Sequence, residues 1–549
     1  MLIITWHHKI TVYQLLLFLI MKKIINLCFI SISSLALILC SCEKKPTLPI
    51  LTSTTISNIS GATAESGGDI TSDGGAPIIA RGVCWSTGAQ PTVNNSKTSD
   101  ESGAGKFSST LTNLSEGTTY HVRAYATNSA GTGYGEDLSF STSAKPILTT
   151  IAITALTSSS AISGGNITSD GQESITERGV CWSTTLNPTV NDSKTTDGIG
   201  TGTYSSNISG LTDGTTYHIR AYATNVIGTT YGEDLTFTTL AKPTLNTIEI
   251  SAVTITTAVS GGNISSDGGT SVIARGLCWS TSPNPTIADN ITSNGTGSGN
   301  FTVNLAGLEA NSTYYLRAYA TNSVGTGYGD ELVFKTYALA DIENNYYHVV
   351  TIGTQTWMQE NLTTTRFNNG DIIATTDPVT KDISAEVAPT YQWAPEGNES
   401  LVAVYGRLYS WFAVADARKI CPAGWHVPTD DEWTLLTDYL TDNGYGYNGS
   451  GDDISKSMAS VTGWTTMPGT SDISNDPTNN SSGFTAVPAG IRMGGNTFSN
   501  IGYFCDWWSS TEYVDNLVWH RQLYYSENTI SRGPASKNHA AFSVRCIKN

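Results

Sequence analysis

The plainest pattern of apolar and polar positions lies between Tyr120 and Thr127. Tyr120, Val122, Ala124 and Ala126 alternate with His121, Arg123, Tyr125 and Thr127. A period of two puts neighbouring side chains on opposite faces of a strand, so the segment predicts a half-buried strand with the first set inward. Ile78–Thr87 and Lys106–Leu111 read as further strands, the latter with Phe107 inward, and Leu138–Thr142 as the last. Gly67–Ser72 leads into Asp73-Gly74-Gly75, a turn before the first of these strands. This pattern returns twice. Arg81-Gly82-Val83-Cys84-Trp85-Ser86-Thr87 recurs at Arg178–Thr184 and, with Leu277 in place of Val83, at Arg275–Thr281, and Trp85, Trp182 and Trp279 are spaced by 97 residues. A constant period means three similar all-β units in tandem. Short strands separated by Gly, Asn and Asp turns predict a β-sandwich for each.

Leu114-Ser115-Glu116-Gly117-Thr118-Thr119-Tyr120 resembles the end of a fibronectin type III module, where a tyrosine just after a leucine ties a turn to a strand. The resemblance places repeats at 46–143, 144–240 and 241–337. Lys145-Pro146 and Lys242-Pro243 mark joints with few linker residues, which predicts stiffness. Strands of about eight residues at about 3.3 Å each give a module of roughly 30 Å, a spacer's geometry. Cys84, Cys181 and Cys278 come one per repeat, so no bridge forms within a repeat. Each reads as a buried apolar residue beside a tryptophan. Arg123, Arg220 and Arg317 read as stems covering a sheet face.

The texture changes near Asp341. Nine of the thirteen tryptophans lie beyond it, and the 97-residue echo stops. Leu408, Trp411, Phe412 and Ala415 share one helical face, which predicts a helix over 406–419. A second helix begins after Thr429, where Thr429 and Glu432 form a capping box and Trp433, Leu436 and Leu440 the buried face. The acidic triplet Asp430-Asp431-Glu432 fits capping and the helix dipole better than a metal site. Thr441–Asp453 and Ser471–Ser482 read as surface loops.

Several motifs here are specific. Trp357-Met358-Gln359-Glu360-Asn361-Leu362, Gly406-Arg407-Leu408-Tyr409, Cys421-Pro422-Ala423-Gly424-Trp425-His426-Val427-Pro428, Trp508-Ser509-Ser510-Thr511 and Ser543-Val544-Arg545-Cys546 resemble the Fibrobacter succinogenes major paralogous domain, over 342–549. With the preceding repeats, the chain resembles Bacteroidetes/Fibrobacteres-type lipoproteins. The resemblance implies an α+β, C-type-lectin-like fold related to the formylglycine-generating enzymes. It also implies a disulfide between Cys421 and Cys546, leaving Cys505 unpaired. Those enzymes hold copper on paired cysteines. A bridge would remove that pair, so no catalytic residue, cofactor or metal is expected. The calcium–sugar triplets of lectins are absent. Adjacent strand residues face opposite ways, so one of Trp507 and Trp508 is expected at the surface. With Trp519 these are the candidate ligand-binding residues.

Composition and charge narrow the function. The net charge of −17 argues against a nucleic-acid partner, because phosphate binding needs a basic surface. Residues 1–42 differ from the rest: Met21-Lys22-Lys23 opens a charged start, an apolar run spans Ile24–Leu39, and Leu39-Cys40-Ser41-Cys42 resembles a bacterial lipobox. The apolar run is short for a membrane-spanning helix. The expectation is a signal peptide starting at Met21, lipidation at Cys42, and a cell-envelope protein held at the outer membrane or cell surface by lipid alone. Its three spacers would display the last domain to a glycan or a surface protein. The alternatives are a structural envelope protein and, last, a formylglycine-generating type of enzyme.

Overall fold

The computed structural model describes residues 21, 44–446, 449, 451–466, 473, 477–493 and 497–549. Cys42 lies outside the described residues, as does the leader apart from Met21 and parts of the loops at 441–453 and 471–482. Among the described residues, no helix is long and apolar enough to cross a membrane. The chain falls into two compact units, Met1–Thr239 and Leu240–Asn549.

In the first unit, the opening repeat contains strands β1 (Ile50–Ser57), β2 (Ala64–Ser72), β3 (Ala80–Ser86), β4 (Ser96–Lys97), β5 (Gly105–Leu111), β6 (Thr119–Asn128), β7 (Gly131–Tyr134) and β8 (Leu138–Ser141). One sheet has the order β1-β2-β5 and the other β4-β3-β6-β7, with β8 also on β6. This is the fibronectin type III arrangement, and the second repeat reproduces it. Trp85 pairs with Val122, and Trp182 with Ile219. The Tyr120 hydroxyl accepts the Ser115 N–H at 3.0 Å, and Tyr217 accepts that of Thr212 at 3.1 Å. Those bonds are the expected tyrosine corners.

One detail of the repeat differs from the alternation. Tyr125 belongs to the polar set yet is buried, with its hydroxyl donating to the Thr98 carbonyl at 2.7 Å. The segment after β4 roofs that face of the sheet. The same roof explains the glycine in the Arg-Gly motif, because a Cβ on Gly82 would sit 2.6 Å from the Thr98 carbonyl oxygen. Arg123 covers the face as a stem does, its guanidinium 4.6 Å from the Tyr134 ring. Cys84 and Cys181 are buried, and burial pushes their thiols up to about 11 and about 12. The joint between these repeats has almost no slack. Ser143 N bonds to Ser60 of the first repeat at 3.2 Å, and Ala144 N bonds to Gly171 of the second at 2.8 Å.

The second unit holds the third repeat, with the same sheet orders and a corner from Tyr314 to Glu309 at 3.0 Å. Its connection onward is equally short. Tyr337 N bonds to Thr254, and Ala338 N bonds to Tyr347. The rest is β-rich with few helices. An eight-stranded sheet runs Gln392–Trp393, Leu408–Ser410, Ala540–Ser543, Phe504–Val514, Leu517–Tyr524 and Ser531–Ser536, with Ile491–Met493 and Thr497–Ser499 at its side. A four-stranded sheet joins Val349–Ile352, Gln355–Met358, Ile547–Lys548 and Trp425–His426.

The helix predicted over 406–419 is mostly absent. Leu408–Ser410 is a strand, and only Trp411–Val414 is helical. All three strand residues are buried, between Gln392–Trp393 and Ala541–Ser543. A strand buried on both faces shows no alternation, so its apolar run imitates a helical face. The second helix forms as expected, over Asp430–Asp442, with the Thr429–Glu432 capping box in place. Such a cap contributes about 1 kcal/mol.

Candidate functional site

The motif segments converge on a buried polar hub. The Asn361 side-chain oxygen accepts bonds from Arg545 Nε at 3.1 Å, Arg545 Nη2 at 2.8 Å and Trp507 Nε1 at 2.9 Å. Its amide donates to the Tyr405 carbonyl and to Ser543. Arg545 also donates to the carbonyls of Met358 and Phe484 and lies 4.5 Å from the Phe484 ring. The residue is fully buried, and burial pulls its guanidinium down to about 10. Its acceptors are all neutral, so hydrogen bonds and ring faces replace an ion pair.

This hub corrects the expectation for two tryptophans. Trp507 and Trp508 are both 0% exposed. They do face opposite ways, but each face of their strand carries a core. Trp507 packs with Trp433 and Phe484 under the helix. Trp508 packs on Phe542 at 4.4 Å and donates to the Tyr409 carbonyl at 2.7 Å. Neither ring is available to a ligand. Trp519 is half-buried, with the Arg532 guanidinium 3.7 Å above its ring and Tyr513 edge-on at 4.5 Å.

Arg532 is fixed from below. Asp430 accepts hydrogen bonds from both Arg532 and Arg521, and Asp430 and Arg521 are buried. Burial raises the Asp430 carboxyl, but the two guanidinium groups outweigh it and hold the carboxyl below its usual range. Asp430 therefore has a partner set that the capping pattern did not show, because both arginines lie some 90 residues downstream or more. Cys505 is fully buried and pushed up to about 12 by burial. His520 does not approach it. It pairs with Trp508 in the ladder and sits 3.2 Å from Asp506, on the face opposite Cys505. Among the described residues, no three His, Cys, Asp or Glu side chains are grouped to hold a metal.

The implied disulfide is present. Cys421 and Cys546 are bonded, with their Cα atoms 5.9 Å apart. The bridge pins the loop before the helix, and other bonds add to it. Trp425 and His426 pair with Lys548 and Ile547, Asn368 N bonds to Lys419 O at 2.9 Å, and Asn549 N bonds to Gly424 O at 3.1 Å.

Beside this bridge lies a cleft of about 330 Å³. Val414, Ile420 and Val427 give it an apolar floor. Trp411 and Trp425 stand on its walls, with Asp416, Lys419 and Glu512 around them. The volume is at the lower end of small-ligand pockets. Trp411 is committed to the protein, since Lys537 Nζ covers its ring at 4.6 Å and its N–H donates to the Ser509 carbonyl at 3.3 Å. Trp425 is half-buried, and its ring stacks on no aromatic or cationic side chain among the described residues. His426 is held at both ring nitrogens, by Asn549 at 2.8 Å and Glu432 at 2.9 Å. Sequence reasoning passed over this cleft because its walls come from 411–427 and 510–512.

The chain matches no curated protein. Among solved structures it is similar to the crystal structure of the chicken CNTN1 FN1-FN3 domains, at 14% identity and a TM-score of 0.22, covering 53% of this chain and 99% of that one. It is residues 350–548, the part that carries the hub and most of the cleft's surroundings, that match the family model of the Fibrobacter succinogenes major domain.

Proposed function

We propose that the protein is a lipid-anchored cell-surface protein whose stiff repeats display the last domain, which binds a glycan or a protein outside the cell. The observation that carries the reading is the cleft: a small amphipathic pocket lined by the half-buried Trp425 indole and framed by a disulfide that belongs to an oxidising compartment. The basic start and the Leu39-Cys40-Ser41-Cys42 lipobox support export and acylation at Cys42. Catalysis has no part in this reading, since the Cys421 and Cys546 thiols are consumed by their bridge and Cys505 is buried and held protonated. The test is twofold. Palmitate labelling of the full chain should be lost in Cys42→Ser. The full chain, displayed on an array of glycans and of host and cell-wall proteins, should be captured by at least one of them; capture by none would refute the binding part.

A structural envelope role is the second reading. It is favoured by the hub, because Trp357, Asn361, Trp507, Trp508 and Arg545 of the specific motifs are buried and build a core. Loss of envelope integrity on deletion, with unchanged attachment to surfaces, would favour it.

A further inference from the structure

Resting on the reading of the last domain as a binding module, we propose that the cleft beside the Cys421–Cys546 bridge is a subsite for an uncharged pyranose ring stacked on Trp425. A pyranose has a flat C–H face and a rim of hydroxyls that both donate and accept. The cleft offers the complement of each. Trp425 lines the cleft while packing on the apolar core; it is half-buried, has no aromatic or cationic stacking partner among the described residues, and its N–H makes no hydrogen bond there. Such an amphipathic ring suits a ligand with one apolar and one polar side. Trp411 cannot serve, because Lys537 occupies its face.

The polar groups fit hydroxyls better than ions. Glu512 keeps one carboxylate oxygen free while the other holds Lys537 at 2.8 Å. Asp416 is bonded to Arg418 at 2.7 Å and retains acceptor capacity. Lys419 Nζ has no protein partner among the described residues and can donate. Each carboxylate thus has its own cation, so the cleft does not demand a charged ligand. For an acidic sugar, Lys419, the one uncommitted cation among the described residues of the lining, would be opposed by the carboxylates of Asp416 and Glu512. The space of about 330 Å³ suits a ligand of one or two rings, and the pinned loop means that little ordering is needed on binding.

The experiment is a fluorescence titration of the full chain with methyl glucoside, galactoside and mannoside, N-acetylglucosamine and its dimer, and glucuronate, each variant first shown to melt like wild type. At least one neutral sugar should bind. Trp425→Ala should lose about tenfold or more in affinity, while Trp425→Phe retains most of it. Glu512→Gln should weaken binding, and Val387→Ala, at an exposed position outside the cleft lining, should leave it unchanged. The proposal is overturned if folded Trp425→Ala binds like wild type, or if glucuronate binds better than its neutral counterpart. Capture of a protein but of no sugar would overturn the subsite and leave the binding reading standing; capture of neither would overturn both.

Discussion

Replacing Arg545 with methionine tests the hub most sharply. Methionine has nearly the same length and no charge, so the change removes five donor contacts, the longest to the Thr485 carbonyl at 3.4 Å, and little volume. Left behind are the buried Phe484 and Met358 carbonyls and one bonding site of Asn361. Each unsatisfied buried acceptor costs about 1–3 kcal/mol. Against this stands relief from burying a cation, whose cost is visible in the guanidinium's depressed pKa of about 10. Three acceptors at a middle value, less part of that relief, give a net loss of about 3 kcal/mol. Lysine should rescue poorly, since it cannot present a planar fork to three acceptors. Urea unfolding followed by tryptophan emission is the assay, because Trp507, Trp433 and Trp357 report from the same cluster. A loss below about 1 kcal/mol in Arg545→Met would refute the view that these hydrogen bonds outweigh the desolvation.

Other outcomes follow from the same geometry. The Asp430 carboxyl is held low when folded, so its stabilisation is present above the unfolded value near 3.9 and is lost as pH falls through the folded value; Asp430→Asn should flatten the acid limb of the stability curve, measured by melting between about pH 2 and 7. Breaking the bridge in a Cys421→Ser, Cys546→Ser double variant frees a loop of 125 residues and should cost about 4–5 kcal/mol on the chain-entropy account, read as a fall in the melting temperature with reducing agent present and absent. Cys84, Cys181, Cys278 and Cys505 are buried with thiols raised to about 11 or 12, so native protein at pH 8 should resist thiol labelling that becomes complete in denaturant.

Much of the fold was legible in the chain. The 97-residue spacing marked the repeats, and Tyr120 behaves as its resemblance implied. Thr429 and Glu432 located a helix start by chemistry local to four residues. Legibility failed where burial is two-sided. Leu408–Ser410 shows no alternation because both faces are covered. Trp507 and Trp508 alternate as expected, yet two cores lie on either side of them. Tyr125 falls in the polar set of its strand because nothing in that strand announces the roof over it. The cleft was the least visible feature, since a disulfide and an end-of-chain strand bring its walls together.

On the proposed reading, the last domain binds its ligand in the cleft framed by this bridge. Hydrogen exchange of the full chain, with and without a saturating array-identified ligand, tests it directly. Added protection is expected at 411–427 and 510–512 alone. Protection centred on Trp519 and Arg532, or on the repeats, would contradict it.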